Sequence, residues 1–388
     1  MSDVSKIRIA FFADILEENF DGVTHTLYQI VRHAPKDKFD FVFVTPHPPK
    51  QESHFPFKII LSPGFTWPFY KQYRLALPFS RKSIEQKLDK FDPHIVHFTT
   101  PSLLGLYALR YGRKRGLPVI TTYHSHFPGY IEYYFRYVPK AYEIIFPLIK
   151  KPLWLYPKVD LTLAPSREMK EFLVGNDVEE DKIRFWKRGV DRTKFNENRH
   201  DSDWKKKHGI AEKKTVLFVS RLVKEKEIAT LMRVYRLFQE RDKDVKFVVV
   251  GEGPGGEKLM GKMPNAYFLG KQTGEQLWTV FASCDIFVFP SLTETFGNVV
   301  LEALSSGLPV VTAQAGGPKD IVQDGVTGYH VTPKNPEEFY QKINHLLKHE
   351  DEYQRLRKNA IAYAETQTWK KVCGELYDIY TEFAQKRD

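Results

Sequence analysis

Glu294 and Glu302 stand eight positions apart in the stretch TETFGNVVLE, around a Phe-Gly-Asn step. The apolar run DIFVFPS before the first reads as a strand. VVLEALSSG, around the second, reads as a helix beginning near Gly297 or Asn298. The free amides of a helix start, with the positive end of its dipole, make an anion site. Carboxylates flanking that start would accept hydrogen bonds from hydroxyls, so the arrangement suits a ligand built as sugar, phosphate, sugar. VSRLVKEK ends another strand and carries Arg221 and Lys226 five positions apart. A fork-shaped donor and a point charge at the mouth of a crevice suit a diphosphate. Ion pairs with the neighbouring Glu225 and Glu227 are the plainer use of the same two residues.

Other motifs carry less. GEGPGG at 251–256 matches the dinucleotide fingerprint after a strand, but Pro254 interrupts its turn, it lies mid-chain, and no acid ends the next strand, AYFLG, to hold a ribose. The triplets Asp201–Asp203 and Asp242–Asp244 lie in a polar stretch and ahead of a strand, not at a strand end where a cation site would form. The two cysteines, Cys284 and Cys373, are far apart, which fits a reducing compartment.

The elements that must position these residues follow from periodicity. IRIAFFA, FDFVFV, HIVHFT, PVITTYH and VDLTLAP recur in the first half, and TVLFVS, VKFVVVG, AYFLG, DIFVFPS and LPVVTA in the second, with helical patterns between. Near-continuous apolar strands alternating with amphipathic helices predict parallel sheets covered on both faces. The polar stretch 196–214 reads as a connection, and TWKKVCGELYDIYTEFAQKR as a closing helix. The order predicts two doubly wound α/β halves. Ligands then belong beyond the carboxyl ends of the strands, where Gly22, His124, Ser220-Arg221, GEGPGG and Glu294 fall.

With 388 residues, 42% hydrophobic and 27% charged, the composition is that of a globular enzyme. The N-terminal run reads as a strand, not a signal peptide, and no stretch reaches the roughly 20 apolar residues that span a bilayer. The net charge of +10 is uneven: residues 51–158 hold 16 basic and 6 acidic residues, interleaved with Trp and Tyr. That pattern suits an anionic membrane surface. A nucleic-acid partner is disfavoured, because no nucleic-acid module accompanies it.

Together, Glu294-x7-Glu302, SRLVKEK, VGEGP, GLPVV, the later GG and DGVTG resemble the retaining GT-B glycosyltransferases of family 4, over nearly the whole chain. The resemblance implies an α/β GT-B fold of two Rossmann-like doubly wound domains facing a central cleft. Residues 1–195 would bind the acceptor, 196–368 the nucleotide sugar, and 369–388 would form a helix crossing back. It implies that Gly22 in DGVTH approaches the donor phosphates and that His124 in TYHSH contacts the donor sugar. Arg221 and Lys226 would hold the diphosphate as leaving group, Glu294 the transferred sugar, and Glu302 the ribose. The amides around Phe296, Gly297 and Asn298 would cap the phosphate, with Ser220, Gly251, Gly253, Thr295 and Val299 in the same donor site. His124, Arg221, Lys226 and Glu294 form the implied catalytic set, with no cofactor and no metal. Two departures bear on donor affinity: Asp21-Gly22 replaces the usual Gly-Gly, and Ser220 and Glu227 flank the Arg221–Lys226 step.

TTYHSHFPGYIEYY, FWKRGVDRTKF and AGGPKDIV are similar to lipid-directed members, among them sulfoquinovosyl-diacylglycerol synthases and GDP-mannose-dependent α-mannosyltransferases. The expectation is transfer of a hexose, mannose ahead of UDP-linked hexoses, to a membrane glycolipid. A soluble sugar acceptor, or sugar-nucleotide epimerisation on the same fold, are the alternatives. Tyr130, Tyr133, Tyr134, Arg136, Lys150, Lys151 and Trp154 are the acceptor or membrane candidates, and the expected location is cytoplasmic, at the inner face of the cytoplasmic membrane.

Overall fold

The computed structural model describes residues 6–18, 20–51, 54–66, 74–77, 81–124, 151–211 and 213–386. The chain divides into two compact units, Met1–Lys187 with Lys370–Asp388, and Arg188–Trp369.

In the first unit the strands are β1 (Ile7–Phe12), β2 (Phe39–Thr45), β3 (Lys58–Leu61), the hairpin β4 (Gly64–Thr66) and β5 (Arg74–Ala76), β6 (Ile95–Phe98), β7 (Val119–Thr122), β8 (Leu161–Ala164) and β9 (Ile183–Phe185). Apart from the hairpin they form one parallel sheet in the order β3-β2-β1-β6-β7-β8-β9. Ile9 to Phe12 are all buried, as a strand covered on both faces requires. The helix Trp369–Gln385 packs on this unit. Tyr380 donates to or accepts from buried His97 of β6 at 2.6 Å, the Tyr377 hydroxyl donates to the Ile30 carbonyl, and the Trp186 indole donates to the Val372 carbonyl at 2.8 Å. Arg184 and Glu382 add a two-pronged ion pair.

The second unit holds β10 (Thr215–Val219), β11 (Lys246–Val250), β12 (Tyr267–Phe268), β13 (Ile286–Phe289), β14 (Val310–Ala313) and β15 (Gly328–Val331), parallel in the order β12-β11-β10-β13-β14-β15. Its core, among the described residues, runs from Val190 and Phe195 through the sheet to Ala364. The stretch 196–214, expected as a connection, is instead part of this unit. It forms a short turn, Glu197–Arg199, and a helix, Ser202–Lys207, that buries Trp204 in the core. Val190 and Phe195, counted with the first half in sequence, also pack here because their side chains complete the same core.

Each sheet reverses its strand order once, at β1/β6 in the first unit and at β10/β13 in the second. Crossovers leave in opposite directions from such a point and open a crevice beyond the carboxyl ends of the two strands.

Candidate active site

The second unit's reversal point gathers most of the candidate residues. After β10 the chain runs through Ser220 and Arg221 into a tight turn, Lys224–Lys226. After β13 it runs from Ser291 to the helix Asn298–Ser305. The Ser291 hydroxyl donates to the Glu225 carbonyl at 3.4 Å, tying the two loops together. Lys226 is 5% exposed, and its ammonium donates to the Glu294 carboxylate in a nearly dry ion pair. Its partner is therefore neither adjacent glutamate. Glu227 sits in the left-handed region at φ +53°, accepts from the Thr230 hydroxyl at 3.1 Å, and faces Lys334 at 3.9 Å. Arg221 is exposed and paired with no carboxylate among the described residues.

Glycines set the spacing of these loops. A Cβ on Gly251, at φ +132°, would lie 1.8 Å from the Ser220 carbonyl oxygen, so the loop after β11 lies flat against the one after β10. Two backbone bonds seal the contact: Leu222 N–H to the Glu252 carbonyl and Gly255 N–H to the Leu222 carbonyl, both 2.8 Å. Beyond β14, Gly317 donates its N–H to the Glu294 carbonyl at 2.7 Å, and a Cβ there would fall 2.4 Å from the Phe296 Cα. The GG step thus braces the loop that presents Glu294. Sequence reading counted it as a family motif and missed this role; paired glycines after an apolar strand were the available signal.

Gly297, at φ +101°, precedes the helix Asn298–Ser305, and no side chain caps it. The first amides there are left for a ligand anion. Phe296 is buried beneath them. Glu302, in the second turn, has its carboxyl pushed up to about 7 by burial, and no cation pairs with it among the described residues. The structure thus brings Ser220, Arg221, Lys226, Gly251, Gly253, Glu294, Thr295, Phe296, Gly297, Asn298, Val299 and Glu302 onto the carboxyl-end loops and helix of one sheet. A cation, an uncapped helix start and two carboxylates of different character can hold a phosphate between hydroxyl-bearing groups.

Gly22 and His124 belong to the first unit. Gly22 opens the helix Gly22–His33, and the departing Asp21 is its cap: Asp21 accepts from Thr24 N–H at 2.8 Å and Thr24 returns a bond to Asp21 N–H at 3.0 Å. His124 follows β7, partly exposed. Of the acceptor candidates, Tyr130, Tyr133, Tyr134, Arg136 and Lys150 lie outside the described residues, and only the backbone of Lys151 is described. Trp154 is 42% exposed, with the Lys158 ammonium 4.3 Å from its ring centre. The aspartate triplets serve structure: Asp201 caps the helix Ser202–Lys207, and Asp242 takes the Tyr340 hydroxyl at 2.7 Å and Lys348 at 3.2 Å.

A model described as Glycosyl transferases group 1 matches residues 200–363, and one described as Glycosyltransferase Family 4 matches residues 20–194. Sulfoquinovosyl transferase SQD2 of Arabidopsis thaliana is 31% identical over 399 residues, covering 98% of this chain and 75% of that protein. The chain belongs to the family 4, group 1 glycosyltransferases. A GDP-mannose-dependent alpha-mannosyltransferase of Mycolicibacterium smegmatis is 29% identical over 98% of this chain and 99% of its own. An alpha-monoglucosyldiacylglycerol synthase of Streptococcus pneumoniae is 27% identical over 79% and 70%. Among solved structures, Anabaena Alr3699/HepE in complex with UDP superposes with a TM-score of 0.75 at 18% identity, covering 97% of this chain and 100% of that one. The glycosyltransferase therefore has the GT-B fold, with two Rossmann-like domains.

Proposed function

We propose that this glycosyltransferase moves a hexose, mannose first, from a nucleoside-diphosphate sugar to a hydroxyl of a membrane glycolipid, with retention and without a metal. The observation that carries the reading is the buried Lys226–Glu294 pair beside the uncapped helix start at Gly297. Breaking the bond from the anomeric carbon to the diphosphate leaves negative charge on the phosphate oxygens. Lys226, Arg221 and the helix amides are set to receive it, which is electrostatic stabilisation by preorganised donors. The acceptor oxygen then bonds to the anomeric carbon from the leaving-group face, and its proton passes to the departing phosphate oxygen. Glu294, fixed by Lys226 and by the Gly317 amide, accepts from hydroxyls of the transferred sugar, and Glu302 from the ribose.

Mannose from GDP-mannose is favoured because the mannosyltransferase relatives align end to end with this chain. A lipid acceptor is favoured by the glucosyl-diacylglycerol and sulfoquinovosyl relatives. It is also supported by a surface of the first unit, where Leu106, Leu109, Arg110, Arg113, Trp154 and Lys158 line an open groove of about 480 Å³. Leu103, one turn before Leu106 on the same helix, is exposed. Cations around an exposed Trp and leucines match an anionic lipid surface. Among the described residues no helix is long and apolar enough to cross a membrane.

Thermal shift across a panel of nucleotide sugars tests the donor. At one hundred times its Kd a donor adds about 2.7 kcal/mol, a rise of roughly 5–10 °C for a domain of this size. Slow donor hydrolysis should accompany binding, persist in chelator, and vanish in Lys226→Met. Epimerisation of the donor without hydrolysis or transfer would overturn the reading.

A further inference from the structure

Residues that carry a Cβ seldom take the left-handed backbone. Among the described residues other than glycine, Asp92, Asp177, Glu227 and Lys334 do so. Aspartate is one of the types that tolerate that region; glutamate and lysine are not. Glu227, at φ +53°, and Lys334, at φ +62°, are therefore the costly choices, and their side chains meet. The Lys334 ammonium lies 3.9 Å from Glu227 Oε1. Glycine would relieve either backbone, so a long side chain kept at each position needs a use.

Helix capping is not that use. Glu227 stands at the start of the helix Ile228–Arg241, and its carboxylate takes none of the free amides there. It is buried, and Oε2 instead accepts from the buried Thr230 hydroxyl at 3.1 Å. Lys334 comes from the turn between β15 and the helix Pro336–Lys348.

The neighbour of Glu227 gives the arrangement its meaning. Glu227 N–H closes the turn Lys224–Lys226 on the Lys224 carbonyl at 3.0 Å, and Lys226 N–H bonds to the Val223 carbonyl at 3.1 Å. At Glu225 and Lys226 this turn is held from the loop after β13, by Ser291 and Glu294. A phosphate entering there would compete with Glu294 for the ammonium. Thr230 and Lys334 lie on other elements, so the anchor at Glu227 survives that exchange.

We infer that Glu227 is a positioning residue: its carboxylate, held by Thr230 and Lys334, clasps the turn that carries Lys226. The backbone of the lysine then stays in place while its ammonium passes from Glu294 to the diphosphate. The catalytic consequence rests on the role proposed above for Lys226; the clasp itself does not.

The test uses the full chain without donor. Acetic anhydride acylates lysines at rates set by their exposure, and mass spectrometry reads each site. Glu227→Ala should speed acylation of Lys226 about 10- to 100-fold, the range for losing a hydrogen bond to a charged group. Lys334→Met should speed it about threefold, as befits a half-exposed pair, and Glu227→Gln, which keeps an oxygen for Thr230, should stay within about fivefold of wild type. Lys205, paired with Asp285 at 2.7 Å in the same unit, is the control, and its rate should not change. A wild-type rate at Lys226 in Glu227→Ala, or a Lys205 rate that rises in step with it, would overturn the clasp. If Glu227→Ala does not fold, Lys334→Met decides, and a wild-type rate at Lys226 there overturns it. In donor hydrolysis, Glu227→Ala should lower kcat about tenfold with the donor KM within about threefold, the mark of an interaction used in the transition state. An unchanged kcat would reduce Glu227 to a structural tie. If the wild type turns over no nucleotide sugar, the transferase reading fails, while the acylation rates still decide the clasp.

Discussion

At the scale of single residues, the site depends on a lysine that is almost dry. Lys226 has 6% of its side chain exposed and is neutralised, among the described residues, by Glu294, itself 19% exposed. Breaking a buried pair from one side leaves an uncompensated charge. Lys226→Met should therefore lower the turnover rate roughly 100- to 1,000-fold, as loss of one preorganised donor does elsewhere. Glu294→Gln should raise the donor KM and leave Lys226 partly satisfied by the amide oxygen; steady-state kinetics on both variants check this. Glu302 gives a pH signature. Its folded pKa, about 7, lies above the ordinary carboxylate value because burial disfavours the ion. The folded chain then holds more protons than the unfolded one between about pH 4.5 and 7, so this group's contribution to stability falls as pH rises through that window. Denaturant titrations should show the wild type losing stability against Glu302→Gln from pH 4.5 to 7 and holding a constant gap above it. If Glu302 holds the ribose as proposed, donor affinity should run the other way in the wild type, strengthening toward pH 7 as the carboxylate ionises, and stay flat in the glutamine variant.

At the scale of elements, loops that look irregular are fixed by backbone contact. Gly317→Ala places a Cβ 2.4 Å from the Phe296 Cα, and backbone must move to admit it. The expected outcome is a loss of about 1–3 kcal/mol in chemical denaturation, the scale of local backbone strain, with a larger proportional loss of donor binding because Glu294 is displaced with its loop. The closing helix is held by polar bonds inside an apolar seam, where Tyr377 also packs on Phe39 at 5.0 Å. His97 is fully buried between Tyr380 and Thr122, and burial pushes its pKa down to about 3. It stays neutral when folded, whereas the unfolded chain takes up a proton below about 6.5. Its contribution to stability is therefore present at neutral pH and lost as pH falls through that value. Tyr380→Phe orphans one ring nitrogen and should cost about 1–3 kcal/mol at pH 7, read as a shifted denaturation midpoint without change in donor affinity.

At the scale of the whole molecule, charge is unevenly distributed. Basic excess collects in residues 51–158, and three of its cations, Arg110, Arg113 and Lys158, line the Trp154 groove. Arg113 is held there by the Lys158 carbonyl, and Arg110 is free of any carboxylate among the described residues. Flotation with vesicles containing anionic phospholipid should recover the wild type at low salt and release it at high salt. Arg110→Glu with Trp154→Ala should reduce recovery by roughly tenfold, the effect of removing about one kilocalorie per cation near the surface, while donor hydrolysis is unchanged. Recovery that is independent of salt and of both substitutions would remove the groove from the account of the acceptor.

The central strands were legible because parallel strands buried on both faces leave long apolar runs, as IRIAFFA and DIFVFPS do for β1 and β13. Three of the four strands at sheet edges were not. KIIL, IRF and GYHV, forming β3, β9 and β15, are short and half-covered, so their sequences need not be apolar throughout. The candidate donor residues could be singled out for a local reason: phosphate and hydroxyl recognition needs particular side chains at strand ends, and those ends can be counted along the chain. Which residues answer each other could not be counted. Lys226 has acidic neighbours on both sides, yet its partner is 68 positions away, because the sheet reverses between β10 and β13 and sets their loops side by side. The same reversal in the first unit places Ser102 on Asp14, 88 positions earlier. Composition and pattern determined the elements and the candidate site residues; strand order, a product of the packed sheet alone, decided the partnerships.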